Sequence, residues 1–259
     1  MRAWDEKQLH WHLTTRRFGR QFVYLDEVDS TNRFLKENPE IFTLSGGVLI
    51  AGHQSAGRGR QSRLWSDCAD SSLLFSLALR LHGQSDSKGM LSLLPAIALG
   101  RTIRNHDTGA DVELKWPNDV LLSHRKVAGI LAESSSTESG ETIVIGVGIN
   151  VNSIPSIEFA WPAISLWQGS AWHPSREVLL AELLNAWEPL FDAYMDGAFD
   201  SIRESWEELG PRYGSRMRRV EFNSVSEGEF VGLGLNGQLL LRLSSGEIQE
   251  VFSGDIQLQ

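Results

Sequence analysis

The apolar residues of this chain follow two spacings, one typical of strands and one typical of helices. Alternating or β-branched apolar runs predict strands, and they lie at 22–25, 47–51, 73–79, 112–116, 120–122, 127–133 and 143–151. Apolar residues at helical spacing predict helices at 90–103, 178–194 and 199–209. The chain is therefore expected to form an α+β fold, with a mixed or antiparallel central sheet flanked by helices.

Two further helix signals come from capping residues and proline. Residues 29–32 (Asp-Ser-Thr-Asn) supply capping side chains for a short helix that Pro39 ends. Pro189 lies inside the helix predicted at 178–194. Because proline has no amide hydrogen, it is expected to bend or interrupt that helix.

The chain changes character after Gly210-Pro211, which ends helical structure. Short strands are predicted from there on, at 217–222, 229–235, 238–243 and 247–252. Asn236-Gly237 predicts a hairpin in which both central turn residues have positive φ. We therefore expect two domains, a catalytic one over 1–211 and a small SH3-like β-barrel over 212–259.

Composition and charge narrow the classes of function. The 259 residues are 41% hydrophobic and 22% charged, as in an ordinary globular protein. The net charge of -9 repels polyanions, and the predicted barrel is acidic as well, so we expect no DNA partner. Cys68 is the single cysteine, and residues 1–20 contain no apolar run. Both observations favour a cytoplasmic protein with no membrane segment.

The most informative segment is the glycine- and arginine-rich loop at 57–65 (Gly-Arg-Gly-Arg-Gln-Ser-Arg-Leu-Trp). Glycines let backbone amides approach an anion, and arginines add forked donors for carboxylate or phosphate. The loop matches neither the dinucleotide fingerprint nor the P-loop. A solvated basic loop and an arginine-glycine contact to nucleic acid explain the same composition, so the anion clamp is one of three interpretations.

A second segment, residues 115–119 (Lys-Trp-Pro-Asn-Asp), stands where a strand ends at a proline turn. Alternation puts Lys115 on the face opposite Leu114 and Trp116, so that it points into a cleft or simply into water. Lys126 begins another strand, in which Gly129 permits close approach by a ligand or by backbone. Because Lys126 is a second lysine close to Lys115 in sequence, we favour the interpretation that Lys115 points into a cleft.

A third segment, residues 146–152, alternates glycines within a strand. Glycines weaken a strand unless something must pack closely against it. An adenine or ribose lying on the strand accounts for them, and so does tight packing within the protein.

These segments together resemble the biotin protein ligases, in the order and at the spacing typical of that family. The resemblance runs from about residue 22 to the C-terminal strands. It implies a class II synthetase-like catalytic domain that uses ATP to convert biotin into biotinyl-5′-AMP. The acyl group then passes to a lysine of a biotin carboxyl carrier protein.

The resemblance also implies roles for individual residues. Lys115 and Arg60 are the implied catalytic residues. The implied biotin-binding residues are Ser30, Thr31, Asn32, Gln54, Gly57, Arg58, Gly59, Arg60, Lys115 and Gly129. The implied ATP-binding residues are Arg58, Arg60, Arg63, Trp65, Asn118, Lys126, Gly148 and Asn150. No protein metal site is expected, and Mg²⁺ is expected to be held by phosphates and water.

The chain departs from the family pattern in two places. Ser62 stands where family loops commonly carry a further glycine, which predicts a stiffer loop. Only about 20 residues precede the first predicted strand, fewer than the roughly 50 that a domain needs. This favours a short form without an N-terminal DNA-binding domain, and the resemblance leaves a homodimer open.

Three other functions fit parts of the pattern. A lipoate ligase or octanoyltransferase shares a related architecture, but residues 115–119 and the C-terminal strands favour the biotin ligases. A biotin-sensing repressor is disfavoured because no DNA-binding domain is recognised. A binding module without catalysis is disfavoured because the set of lysines and arginines is intact.

Overall fold

The computed structural model describes residues 4–81, 87–137, 140–156, 161–221 and 224–258. Within these ranges the α-helices are α1 Glu6–His12, α2 Thr31–Glu37, α3 Leu93–His106, α4 Leu166–Gly169, α5 Arg176–Met195 and α6 Phe199–Glu207. The strands are β1 Phe22–Val28, β2 Gly47–Gln54, β3 Ser72–Leu81, β4 Val112–Lys115, β5 Asp119–Leu122, β6 Arg125–Thr137, β7 Gly140–Asn150, β8 Arg216–Glu221, β9 Ser224–Leu233, β10 Leu239–Arg242, β11 Ile248–Val251 and β12 Asp255–Leu258.

The first seven strands form one mixed sheet in the order β1-β2-β3-β7-β6-β5-β4. Only the β1–β2 pair is parallel, and the remaining neighbours are antiparallel. The predicted α+β class with a mixed sheet is therefore confirmed. This order sets β7, with its glycines, in the middle of the sheet, next to β6 with Gly129.

Both faces of the sheet are covered because successive residues of a strand point to opposite sides. On β2, Leu49 packs with Leu35 of α2 on one face. Val48 and Ile50 belong to the main core on the other face, together with residues of α3 and α5. This double coverage explains why residues 48–51 of β2 are apolar without alternation.

One helix prediction needs correction, and one helix was not predicted at all. Pro189 does not interrupt α5, which runs without a break from Arg176 to Met195. Burial of Trp187 and Phe191 on either side of the proline holds the helix together despite the missing amide. The sequence also gave no sign of α1, which Asp5 caps and whose only buried residue is Leu9.

The C-terminal strands form a second, antiparallel sheet in the order β11-β10-β9-β8-β12. The small β unit is thus confirmed, although β12 was not predicted and residue 222 of the first predicted strand lies outside the described residues. β11 and β12 do not pair within the described part of the chain. Closure into an SH3-like barrel therefore stays a prediction, as does a domain boundary at residue 211.

The hairpin predicted at Asn236-Gly237 exists, but its geometry differs from the expectation. The amide of Gly237 donates to the carbonyl of Gly234 at 3.0 Å, so Leu235 and Asn236 are the central turn residues. Gly237 has φ +77°, whereas Asn236 is not among the positive-φ residues. A longer loop with a single left-handed glycine therefore replaces the two-residue turn.

The second sheet packs firmly onto the first part of the chain. Phe230 and Leu239 belong to the same apolar core as α3 and the mixed sheet. Trp116 Nε1 also donates to the carbonyl of Gly237 at 2.9 Å. Because of this packing, the edge strand β12 lies beside residues of the mixed sheet.

Candidate active site

One cleft of about 610 Å³ lies between the mixed sheet, the glycine- and arginine-rich loop and β12. Its size falls within the range of small-molecule sites, roughly 300–1,000 Å³. Of the residues proposed from sequence, the cleft is lined by Ser30, Thr31, Asn32, Gln54, Arg58, Gly59, Arg60, Arg63, Trp65, Lys115, Asn118, Lys126, Gly129, Gly148 and Asn150. Gly57 is not among the lining residues.

Residues 57–65, called the flap from here on, form a small hairpin. The amide of Trp65 donates to the carbonyl of Gly57 at 2.9 Å, and the amide of Gly59 to that of Arg63 at 2.8 Å. A Cβ atom on Gly57 would lie 2.5 Å from the carbonyl oxygen of Trp65. Gly57 is therefore needed for close approach of the two flap strands, and its contact with a ligand stays a prediction.

The three flap arginines have different surroundings. Arg58 is exposed, whereas Arg60 is half-buried in the cleft. Burial lowers the pKa of Arg60, partly opposed by the carboxylates of Asp255 and Asp119. Arg63 forms an ion pair with Asp255 of β12. The C-terminal sheet thus holds the flap through one carboxylate.

Lys115 points into the cleft, which is one of the two orientations that strand alternation left open. Leu114 and Trp116 are buried on the other side of the chain. The Lys115 ammonium lies 3.5 Å from the centre of the Trp161 ring. Burial lowers the pKa of Lys115, while Asp119 and Asp255 act in the opposite direction.

Lys126 contributes a second cation to the same wall. Its Nζ lies 2.6 Å from a carboxylate oxygen of Asp119 and 5.6 Å from the centre of the Trp65 ring. The carboxylates of Asp119 and Asp255 therefore stand among the five cationic side chains that line the cleft, Arg58, Arg60, Arg63, Lys115 and Lys126. An anionic ligand would bind in a region whose positive charge is only partly offset.

Hydroxyl and amide groups supply the uncharged polar part of the cleft lining. Oε1 of Gln54 accepts from the backbone amide of Thr31 at 2.8 Å and from its hydroxyl at 3.1 Å. The hydroxyl of Ser76 lies 2.7 Å from Oγ1 of Thr31 and 2.6 Å from Oδ1 of Asn32. Ser30 is buried before α2, and its side chain makes no capping hydrogen bond. Residues 29–32 were predicted to supply capping side chains, but Ser30, which occupies the N-cap position, does not cap α2 with its hydroxyl.

The side-chain amide of Asn32 hydrogen-bonds to other residues of the protein. Its Nδ2 donates to the carbonyl of Leu131 at 3.0 Å and to Oε2 of Glu133 at 2.8 Å. Both amide hydrogens are therefore in use, because a side-chain amide has two. Glu133 also accepts from Lys36 at 2.5 Å. Asn32 thus ties α2 to β6 and leaves ligand donation to its neighbours.

Two glycines of adjacent strands form a flat platform for the indole of Trp65. Gly129 and Gly148 are register partners on β6 and β7. A Cβ atom on Gly148 would lie 2.5 Å from Cε2 of Trp65, and one on Gly129 would lie 3.0 Å from Cζ3. Similarly, a Cβ atom on Gly146 would lie 2.3 Å from Oδ1 of Asn32. Tight packing within the protein therefore accounts for the alternating glycines.

Asn118 and Asn150 brace the walls through their amides. Asn118 Nδ2 donates to the carbonyl of Ile130 at 2.6 Å, and the Ile130 amide donates back to the Asn118 carbonyl at 2.9 Å. Asn150 Nδ2 donates to the carbonyl of Ile164 at 3.3 Å. Each asparagine still lines the cleft, with its amide oxygen not engaged by these bonds.

Sequence reasoning missed four residues that shape this site. Ser76 and Glu133 lie within strands predicted from sequence, but nothing in a strand pattern marks a polar residue that points toward the pocket. Trp161 and Asp255 come from distant parts of the chain. The positions of Trp161 and Asp255 depend on how the second sheet and the preceding connection pack, which local patterns do not encode.

Two other kinds of feature are absent from the described ranges. No group of three or more His, Cys, Asp or Glu side chains there is placed to hold a metal ion. Among the helices described, none combines the length and apolarity needed to cross a membrane.

Comparison with known proteins identifies the family. The Biotin/lipoate A/B protein ligase family matches residues 24–150. The bifunctional ligase/repressor BirA of Bacillus subtilis is 32% identical over 258 residues, covering 98% of this chain and 79% of BirA. The biotin--[acetyl-CoA-carboxylase] ligase of Paracoccus denitrificans is 35% identical over 246 residues, covering 89% of this chain and 99% of that protein.

The fold agrees with this relationship. The biotin protein ligase from Aquifex aeolicus, in complex with biotin and ATP, superposes with a TM-score of 0.78 at 27% identity, covering 93% of this chain and 99% of that one. By sequence and by fold, the chain therefore belongs to the biotin/lipoate A/B protein ligase family, and within it to the biotin protein ligases.

Proposed function

We propose that the cleft activates biotin with ATP and that the biotinyl group then passes to a lysine of a biotin carboxyl carrier protein. The observation that carries the proposal is the meeting, in one cleft, of Lys115 and the flap arginines with the hydroxyl and amide groups of Thr31 and Gln54. The first set suits carboxylate and phosphate, and the second suits an uncharged ring with amide-like donors and acceptors.

The first step brings two anions together. A carboxylate oxygen of biotin forms a bond to the α-phosphorus of ATP while the bond to pyrophosphate breaks, giving biotinyl-5′-AMP. Repulsion between carboxylate and polyphosphate opposes this approach. Lys115, Arg60 and Arg63 offset that repulsion and stabilise the charge that develops, because they stand in a cleft where water is partly excluded.

The second step needs no nucleophile from this chain. The neutral amine of the acceptor lysine attacks the carbonyl carbon of the mixed anhydride, AMP leaves, and a proton is lost to solvent. The adenylate would react with water in an open cleft, so the flap and the Trp65 indole are proposed to shield it.

The contacts of the polar residues suggest how the work is divided. Ser30, Thr31 and Gln54 are proposed to bind the ureido ring, since Ser30 retains its hydroxyl and Gln54 retains Nε2. Asn32 donates both amide hydrogens to β6 and is therefore proposed to hold α2 in place beside the pocket. Arg58, Arg63, Trp65, Lys126, Asn118, Gly148 and Asn150 are proposed to lie on the ATP side.

Mg²⁺ fits this site only together with ATP. Asp119 and Asp255 are the carboxylates that line the cleft, and each is already paired with a cation, Lys126 and Arg63 respectively. We therefore propose that phosphate oxygens and water supply most ligands of the ion, which would neutralise phosphate charge. A cytoplasmic setting suits these substrates, and the net charge of -9 favours a protein partner over DNA.

The test is release of pyrophosphate from ATP with biotin, lipoate or octanoate as the acid. Biotin alone should support rapid release, and a biotin carboxyl carrier domain should then become biotinylated at one lysine. Faster release with lipoate or octanoate would move the chain to the other branch of the family. No release with any of the three acids would refute adenylation altogether.

A further inference from the structure

Asp67, two residues beyond the flap, has a buried carboxylate that the proposed reaction does not use. Its side chain is 0% exposed. Oδ2 lies 3.0 Å from Nδ1 of His53, and Oδ1 accepts from the backbone amide of Gln54 at 3.3 Å. Both partners stand at the end of β2, so the carboxylate joins the stem of the flap, residues 65–67, to this strand.

The connection continues from there into the pocket. Gln54, whose backbone Asp67 holds, uses its side chain to hold Thr31 at the start of α2. Thr31 in turn contacts Ser76 of β3. A Cβ atom on Gly57 would lie 3.2 Å from Nε2 of Gln54, so the other flap strand also packs on this residue. One chain of polar contacts therefore links the flap stem to the biotin end of the cleft.

We propose that Asp67 is a positioning residue that fixes the flap stem against Gln54, so that the flap and the biotin pocket keep one relative position. The expected kinetic effect rests on the proposed function. The contacts of Asp67 with His53 and Gln54, called the tether from here on, are a property of the unliganded protein.

Electrostatics explains why a carboxylate suits this place. A fully buried carboxylate is costly unless it is paired, and His53 and the Gln54 amide supply a partner for each oxygen. The hydrogen bond to Asp67 raises the pKa of His53, and Glu27 adds a smaller effect in the same direction. Replacement by asparagine keeps the shape, removes the charge and puts an amide group where one acceptor oxygen was.

The kinetic test compares Asp67→Asn with Glu27→Gln. Glu27 is the register partner of His53 on β1, so its substitution removes a nearby negative charge without touching the flap stem. For Asp67→Asn we expect the KM for biotin to rise about tenfold, the scale of one lost charge-assisted hydrogen bond. The KM for ATP should stay within about twofold, and Glu27→Gln should match the wild type.

A second readout needs no substrate. Trypsin cleaves after Arg58, Arg60 and Arg63, and limited proteolysis without biotin or ATP reports how firmly the flap is held. Asp67→Asn should be cut at these sites at least about threefold faster than wild type or Glu27→Gln. An unchanged flap cleavage rate would overturn the tether whatever the kinetics show.

The remaining outcomes are also decisive. Equal increases in both KM values would make Asp67 merely structural and overturn the positioning role. Should the wild type fail to use biotin, the proposed function fails while the cleavage rates still decide the tether. If Asp67→Asn does not fold, His53→Ala takes its place, with about threefold faster flap cleavage expected and an unchanged rate overturning the proposal.

Discussion

Replacing Lys115 by methionine removes the ammonium from the centre of the cleft while keeping much of the apolar stem. The amine is half-buried, lies over the Trp161 ring and shares the cleft with the three flap arginines. Loss of one donor aimed at developing charge typically costs about 100- to 1,000-fold in kcat, or ~2.7–4 kcal/mol. Because Arg60 and Arg63 remain, we expect the lower end of that range, roughly 100-fold.

Pre-steady-state release of pyrophosphate with saturating biotin and ATP measures this step alone. Lys88→Met is the matched control, since Lys88 forms an ion pair with Glu141 at 2.6 Å and does not line the cleft. The control should keep the wild-type rate. A Lys115→Met rate within threefold of wild type would mean that Lys115 does not stabilise the transition state. A higher KM for biotin with kcat intact would mean that Lys115 only binds the ground state.

Three further predictions concern the platform, the flap and the packing of the N-terminal segment. Gly148→Ala should lower the affinity for ATP at least about tenfold in a binding titration, because its Cβ would lie 2.5 Å from Trp65 and displace the indole; unchanged affinity would contradict the platform. Arg60→Ala should release free biotinyl-AMP faster as well as weaken biotin binding, and unaltered release in a chromatographic assay would count against flap shielding. Glu188→Gln should lower the free energy of unfolding by about 2 kcal/mol at pH 7, since the buried carboxylate accepts three backbone amides at 2.6, 2.7 and 2.9 Å. Burial acts to raise the pKa of Glu188, but the three backbone donors outweigh burial, and the pKa lies below its ordinary value. The ionised carboxylate therefore contributes its full stabilisation at any pH above the ordinary pKa of a glutamate. In urea unfolding, the difference between wild type and Glu188→Gln should shrink as the pH falls through the lowered pKa, and a constant difference would contradict this reasoning.

Much of the fold was predictable because each element carries its own pattern. The strands of the mixed sheet follow from β-branched and alternating residues, and α3 follows from its apolar spacing. By contrast, α1 contributes a single buried residue, Leu9, and short helices with so few buried positions leave no period to detect. The interruption predicted at Pro189 is wrong because α5 has many buried positions, and their packing outweighs one missing hydrogen bond.

The site was predictable where its chemistry is concentrated in short motifs. The flap, residues 115–119 and the glycines of β6 and β7 could each be recognised locally, and the structure brings them together. Asp255 and Glu133 could not, because their partners Arg63 and Asn32 lie 192 and 101 residues away. The sequence left two interpretations of the glycines open, and the three-dimensional packing shows that Trp65 and Asn32 occupy the space beside them.

The most direct test of the account is a crystal structure with a non-hydrolysable analogue of biotinyl-5′-AMP. We expect the phosphate group to lie within hydrogen-bond distance of Lys115 Nζ and of a flap arginine, with the ureido ring against Thr31 and Gln54. An analogue bound with its phosphate away from both Lys115 and the flap, or bound outside this cleft, would contradict it.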